Sequence, residues 1–223
     1  MNIVKPFFKI EEVEAGLDKV KRLERDARTC YKSEDSIEED TYKKILQNII
    51  KRGHTSVLEH EKITVRIVCD RGVSHELVRH RIASFSQEST RYCNYSKDKS
   101  SEGIKFIDIV TGFNYDLLAN EKDREKYDVW YKAMEDAEKA YNKLIELGAL
   151  PQEARSVLPN STKTEIVITM NIRSWRNFFE LRADGAAHPQ MQELAYPMLK
   201  AFHEYIPVVF DDIYDKKFVT DKE

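Results

Sequence analysis

The sequence predicts an α+β fold in a single domain, a small, mostly antiparallel sheet accompanied by several helices. Apolar residues recur at steps of three and four over long stretches, the period of a helix, whereas only three short stretches alternate or cluster as strands do. No internal repeat, low-complexity linker or sharp shift of composition interrupts the 223 residues. The predicted domain therefore covers residues 1–215, with a polar tail at 216–223 expected to fray.

In chain order, Val13, Leu17, Val20, Leu23, Ala27 and Cys30 mark one face of a helix from Glu11 to Cys30. A second helix is expected to start at Ser36-Ile37-Glu38-Glu39, read as a capping box. Its stripe runs through Ile37, Thr41, Ile45 and Ile49, and Gly53 stops it. In the loop that follows, Ser56 and Glu59 form another capping box over a helical turn. Lys62 to Cys69 alternates, with Ile63, Val65, Ile67 and Cys69 on one side and Lys62, Thr64 and Arg66 on the other, which predicts a half-buried strand. After a turn at Asp70-Arg71-Gly72, Ser74 is expected to cap a short helix carrying Glu76, Leu77 and Val78. Ile104–Val110 and the Ile/Val-rich Glu165–Met170 are the other strand candidates. Between them lies a long helix, about Glu121 to Leu147, with Tyr127, Trp130, Met134, Tyr141, Leu144 and Ile145 on its apolar side. Gly148 ends it, and Pro151 suits the first turn of the next. Helices at about Ile172–Arg182 and Pro189–Tyr205 follow, the second kinked near Pro197.

Hydrophobic residues make up 41% of the chain, enough for a sizeable core, and the charged 34% nearly cancel to a net −3. A general nucleic-acid binder carries a basic excess, so any basic function must be local. No apolar run reaches the roughly 18–20 residues that cross a bilayer, and Met1–Pro6 lacks the apolar core of a secretory peptide. Cys30, Cys69 and Cys93 are odd in number, far apart and without a Cys-x-x-Cys pair, which argues against a disulfide framework or a zinc knuckle. These features predict a soluble, reduced, cytoplasmic protein without a membrane partner.

The local basic function is concentrated in Arg79-His80-Arg81-Ile82-Ala83-Ser84-Phe85-Ser86-Gln87-Glu88-Ser89-Thr90-Arg91-Tyr92. Its three arginines, histidine and four serine or threonine hydroxyls, with no lysine among them, suit an anion pocket for a phosphorylated ligand. A solvated basic face is the plainer alternative. Metal binding is not expected. His75 and His80 are five apart, about 140° around a helix, and His54 and His60 match no common ligand spacing. Arg91 could lower the thiol pKa of Cys93, whose chemistry would suit attack on a pyrimidine, although an ordinary packed cysteine is the favoured reading. Ser89 has no neighbouring base and suits a hydrogen-bonding role. Arg155, Arg173, Arg176 and Arg182 form a second arginine group, but Arg173 and Arg182 are nine apart and need not share a face. Asn171 and Asn177 add amides able to read a nitrogenous base or a flavin edge. Neither a G-x-G-x-x-G fingerprint nor a P-loop is present.

The pattern Arg79-His80-Arg81, seven residues, then Ser89-x-Arg91 resembles the signature of the flavin-dependent thymidylate synthases. Arg52-Gly53-His54-Thr55-Ser56-Val57-Leu58-Glu59-His60 is similar to that family's histidine loop. Ala154-Arg155-Ser156-Val157-Leu158-Pro159 and Asn171-x-Arg173-Ser174-x3-Phe178-x2-Leu181-Arg182 resemble its downstream blocks, so the resemblance covers almost the whole chain. It implies a homotetramer with FAD bound at subunit interfaces and reductive methylation of dUMP to dTMP. In that reaction 5,10-methylenetetrahydrofolate supplies the carbon, NADPH is the reductant and no enzyme cysteine attacks the uracil, which sets Cys93 aside.

By the same resemblance, Arg79, His80 and Arg81 contact FAD, with Arg79 also near the nucleotide. Ser56, Glu59, Asn171, Arg173 and Asn177 are further flavin contacts, and His54 lies near the ring and the folate entrance. Ser89, Thr90 and Arg91 hold the dUMP phosphate and base, with Arg155 as another nucleotide-binding arginine. Glu76 and Gln87 fall at nucleotide-side positions where the family pattern varies. Arg182 lies beside the uracil carbonyl, where a cation stabilises charge developing on the ring. The implied catalytic set is Arg182, Ser89 and His54. The competing reading is a nucleic-acid-binding or strand-transfer protein using the arginines, His80 and Tyr92 or Tyr95, with affinity falling steeply with salt.

Overall fold

The computed structural model describes residues 1–97 and 103–219. Among them the elements run β1 (Asn2–Val4), β2 (Phe7–Ile10), α1 (Gly16–Thr29), α2 (Thr41–Lys51), β3 (Lys62–Asp70), α3 (Arg71–Leu77) and β4 (Ala83–Gln87), then β5 (Lys105–Ile107), α4 (Glu121–Glu146), α5 (Pro151–Ala154), β6 (Lys163–Asn171), α6 (Ile172–Arg182), α7 (Pro189–Tyr205) and α8 (Asp211–Phe218). This is the expected α+β architecture. The main sheet has the order β2-β3-β6-β4, and β1 pairs separately with β5. β3 and β6 run antiparallel, because Ile172 N–H bonds Glu61 O at 2.9 Å while Arg71 N–H bonds Thr162 O at 3.2 Å. β1 and β5 are parallel, with Ile3 opposite Phe106.

The chain gathers into two compact units. Unit 1 comprises Met1–Phe8, Arg66–Arg79 and Phe85–Val167, and unit 2 comprises Lys9–Val65, His80–Ser84 and Ile168–Glu223.

Unit 1 is built on α4. Asn120 caps it by accepting from the N–H groups of Lys122 and Asp123. Its buried Met134 and Tyr141 pack with Ile104, Phe106 and Ala154, and Trp130 and Leu144 close over them. Pro151 starts α5, where a missing N–H costs nothing. The cap of α3 is Asp70, whose carboxylate accepts Val73 N–H at 2.6 Å. Ser74, expected to be that cap, lies inside the helix and is buried.

In unit 2, α1 starts at Gly16, and Val13 is fully exposed, outside the apolar stripe expected of it. The inward side of α1 carries Val20, Leu23 and Ala27, with Lys19, Glu24 and Arg28 buried beside them. The capping box expected at Ser36–Glu39 does not form; α2 begins at Thr41, whose hydroxyl accepts Glu38 N–H at 3.1 Å. The buried residues of α2 are Tyr42 and Leu46 rather than the expected isoleucines. Gly53 ends the segment at φ 71°, a left-handed conformation open to glycine, and its N–H bonds Ile50 O.

The core of unit 2 is aromatic. Trp175, Phe178 and Phe179 of α6 pack with Phe202 of α7 and Phe210, with neighbouring ring centroids 4.9–6.0 Å apart. Such pairs add about 0.5–1.5 kcal/mol each beyond area burial. Arg176 is buried in a structural role, donating two bonds to the Asp212 carboxylate at 2.7 Å and one to Val209 O. The tail expected to fray from Asp215 is helical as far as Phe218, held by Lys217 on Asp184 at 2.5 Å and by Phe218 on the Tyr196 ring. Residues 220–223 lie outside the described ones.

β1, β2 and β4 are absent from the sequence reading because strands of three to five residues show too little alternation to be distinguished from loop.

The start of α1 lies against the end of α7. A Cβ on Gly16 would meet Tyr205 O at 1.8 Å, and the Tyr205 hydroxyl donates to Glu14 O at 2.5 Å. Gly16→Ala should therefore cost about 1–3 kcal/mol, read as a lower urea midpoint, whereas the open position Gly185 should tolerate alanine within about 0.5 kcal/mol.

Candidate active site

In unit 2, the turn after Gly53 presents His54, Ser56 and Glu59 to solvent. The capping box expected of Ser56 and Glu59 is not made; the turn is a 3₁₀ segment without side-chain caps. The Glu59 carboxylate instead accepts Arg173 Nη1 at 2.6 Å. Arg173 is placed by the start of α6, where Asn171 Oδ1 accepts Ser174 N–H at 2.8 Å. One face of that helix is buried through Trp175, Phe178 and Phe179, which leaves Arg173 and Asn177, four residues apart, on the exposed side.

Arg182 falls elsewhere. Nine residues after Arg173 it lies half a turn away around the helix and one turn beyond Phe178. Its Nε–H donates to His80 Nε2 at 3.2 Å. The His80 ring also meets Phe178 edge-on, with centroids 5.0 Å apart and planes at 65°. Burial, then the Arg182 charge, lowers the His80 pKa from 6.5 to about 4. The imidazole is therefore neutral at pH 7, with Nε2 as acceptor and its proton on Nδ1. Arg81 is exposed beside it.

A cavity of about 670 Å³ also lies in unit 2, lined among others by Lys19, Glu59, Glu61, Ile82, Ser84 and Asn171. Lys19 is almost fully buried, with Nζ 3.1 Å from Glu12, 3.6 Å from Glu14 and 3.4 Å from Glu61. Burial works to lower the Lys19 pKa, but Glu12 and Glu61 overcome it and hold the ammonium above its ordinary range. Lys19 and its carboxylates thus contribute a paired charge cluster, and Ile82 and Met170 contribute apolar lining. The volume lies in the range of small-molecule sites.

Unit 1 carries a different set. Thr90 is only 5% exposed, and its hydroxyl accepts Arg155 Nη1 at 3.2 Å. Ser89 O accepts the N–H groups of Tyr92 and Cys93, and Ser89 Oγ accepts Arg91 N–H at 3.3 Å, which turns the chain tightly at this point. The Arg91 guanidinium is exposed and lies 5.2 Å from the centre of the Tyr92 ring. Arg79 is exposed just past α3, its N–H bonded to Glu76 O at 3.1 Å. The Gln87 amide is committed inward, donating to Ser74 Oγ at 3.0 Å and Thr164 Oγ1 at 3.2 Å. Beside it, Glu88 accepts Lys163 Nζ at 2.8 Å and the Tyr95 hydroxyl at 2.9 Å. Arg91 and Arg155 are both exposed, and their guanidiniums carry directed donors of the kind that suit an anion.

The family model described as "Thymidylate synthase complementing protein" matches residues 13–208. Flavin-dependent thymidylate synthases from Geobacter sulfurreducens and Corynebacterium aurimucosum are each 37% identical to this chain. The first aligns over 193 residues, 83% of this chain and 78% of that protein, and the second over 211, 91% and 84%. The chain belongs to the flavin-dependent thymidylate synthase family. The Pyrococcus abyssi member is 36% identical over 167 residues, 74% of this chain, and the chain spans 64% of its length. Among solved structures, the UMP/dUMP methylase PolB from Streptomyces cacaoi, bound with 5-Br dUMP, has a TM-score of 0.77 over 97% of both chains; at 23% identity the likeness is one of fold.

The signature of this flavin-dependent thymidylate synthase family member is thus divided between the units after Arg79. Unit 2 brings together His80 with Arg182 and Glu59 with Arg173; unit 1 brings together Thr90 with Arg155. Cys69 is buried with its thiol pushed up by burial, Cys30 is exposed, and Cys93 lines a cavity of about 530 Å³ with Arg66 and Lys163. His188 is the residue before α7, and its carbonyl accepts the Met191 and Gln192 N–H groups. Sequence reasoning missed Lys19, Glu12 and Glu61 as cavity residues. The available signal was Lys19, Glu24 and Arg28 flanking the apolar stripe of α1, where charge is buried only when paired.

Thr90→Val keeps the volume but removes the acceptor for Arg155, and should raise the KM for a nucleotide monophosphate about tenfold, at the ~1.4 kcal/mol of one hydrogen bond to a charged group, while Thr90→Ser stays close to the parent. His80 predicts a pH dependence as well. An unfolded chain protonates it near 6.5 and the folded chain near 4, so stability falls as pH drops through that window. In His80→Gln that part of the fall should vanish from urea midpoints measured across the window.

Proposed function

We propose that this chain catalyses the reductive methylation of dUMP to dTMP, with FAD as cofactor, 5,10-methylenetetrahydrofolate as carbon donor and NADPH as reductant. The observation that carries the reading is the pairing of Arg155 with buried Thr90, beside exposed Arg91, at 3.2 Å. It supplies directed guanidinium donors for a phosphate dianion at the positions where the family signature requires them.

The balance of the reaction is simple. A methylene group leaves its carrier for the uracil C5, and a hydride equivalent from NADPH, with a proton, takes it to a methyl while tetrahydrofolate is released. Bound FAD would accept the hydride from NADPH and pass the reducing equivalents on. The remaining work falls to the chain. Arg91, Arg155, Ser89 and the Thr90 backbone hold the phosphate, with Arg79, Glu76 and Gln87 nearby on the nucleotide side. Arg182 stabilises negative charge on the uracil carbonyl as C5 attacks.

The unit 2 groups have a donor set that fits a flavin. Asn171 and Asn177 offer amides, Arg81 and Arg173 offer guanidiniums for its phosphates, and Ser56, Glu59 and His80 complete the polar contacts. Ile82 and Met170 provide apolar surface for a flat ring. His54, exposed after Gly53, guards the side where the folate enters. Four copies of the chain close these sites at their interfaces, a reading supported by the exposure of Arg79, Arg81, Ser56, Arg173 and Asn177 in one chain.

The purified protein should be yellow, dUMP should perturb its visible spectrum, and dTMP should form only when dUMP, methylenetetrahydrofolate and NADPH are all present. A colourless protein that cannot be reconstituted with FAD would refute the reading. Cys93→Ala should keep turnover within about tenfold, since no cysteine nucleophile is needed; an intact fold with no turnover would point to a covalent thiol mechanism instead.

A further inference from the structure

We propose that His80 is a positioning residue for Arg182, acting as a neutral acceptor that fixes the plane of the guanidinium. The inference rests on the reading that Arg182 faces the uracil.

Four features of unit 2 carry it. Arg182 Nε–H points at His80 Nε2 at 3.2 Å. The same imidazole is held edge-on by Phe178, at 5.0 Å between centroids. Phe178 and Arg182 are four residues apart on α6, so one helix face supplies both the group that sets the ring and the group the ring sets. Phe178 is fully buried in the aromatic cluster with Trp175 and Phe179, so the ring rests on a fixed surface.

An arginine side chain has four rotatable bonds and loses up to about 2 kcal/mol of rotamer entropy when fixed. A bond to Nε constrains the guanidinium plane and leaves the orientation of its outer edge defined. Only an acceptor can do this. An imidazolium would present N–H to N–H and add a second positive charge, which is why the depressed affinity of His80 for a proton suits the role. A carboxylate could also accept, but it would neutralise the cation that the developing ring charge requires.

The experiment compares His80→Leu, His80→Gln and Arg182→Ala, and the pair His80→Leu with Arg182→Ala, in the flavin-loaded enzyme with turnover expressed per bound flavin. Loss of the acceptor in His80→Leu should lower kcat about a hundredfold, the scale of an ångström misplacement, with the KM for dUMP changed less than about threefold. His80→Gln, whose amide oxygen can replace Nε2, should stay within about tenfold of the parent. In the Arg182→Ala background, His80→Leu should cost less than about twofold more, because residues acting as a unit are not additive. A glutamine variant as poor as leucine, or full additivity with Arg182→Ala, would overturn the proposal.

A second measurement needs neither flavin nor folding of a variant. In the unsubstituted protein, ¹⁵N histidine spectra should give His80 as the Nδ1–H tautomer at pH 7. An Nε2–H tautomer or an imidazolium would overturn the proposal even if the protein proved to have no thymidylate synthase activity. Absence of that activity with the Nδ1–H tautomer present would count against the function instead.

Discussion

The burial of one aromatic face of α6 is the constraint on which the placement of Arg173, Asn177 and Arg182 depends. Trp175, Phe178 and Phe179 are fully buried against Phe202 and Phe210, and a helix of eleven residues held along one face has no freedom to rotate. The Trp175 indole N–H adds a directional tie, donating to Ile63 O of β3 at 3.0 Å. Each polar residue of α6 then has an assigned direction. Arg173 and Asn177 must point outward and Arg182 must emerge on the Phe178 side. Each such aromatic ring, truncated to alanine, would be worth about 3–5 kcal/mol, far more than the exposed Arg173–Glu59 pair it helps to orient. The site is set by its hydrophobic support.

Each unit holds an arginine on a neutral acceptor. The Thr90 hydroxyl accepts from Arg155 in unit 1, and the His80 imidazole accepts from Arg182 in unit 2. Arg176 shows the opposite case, where a bidentate carboxylate from Asp212 uses the charge to hold α8.

Much of this was legible in the sequence, and the limits have physical causes. β3, α4, β6 and α6 carry long periodic patterns and were readable to within a few residues. The spacing of Arg173 and Arg182 did not require a shared face, and they lie on different faces. The early strands were not readable because they are too short. The caps at Ser36, Ser56 and Ser74 were misassigned because several hydroxyl and carboxylate side chains lay within reach, and local sequence does not decide which backbone N–H groups end up unsatisfied. The signature gave the residue types but not their partners. That His80 belongs with Arg182, 102 residues away, is a fact of tertiary structure.

The C-terminal helix has a reach beyond its size. Lys217 on Asp184 and Phe218 on Tyr196 fasten α8 to the segment that leaves Arg182 and to α7. Asp184 lies two residues beyond Arg182, so the chain emerging from α6 is moored by α8. A fusion or truncation made near Phe218 for convenience of purification is therefore not a remote change. It loosens the mooring of the segment that follows Arg182, and with the role proposed for that arginine, differences in turnover between such preparations would trace to that tether.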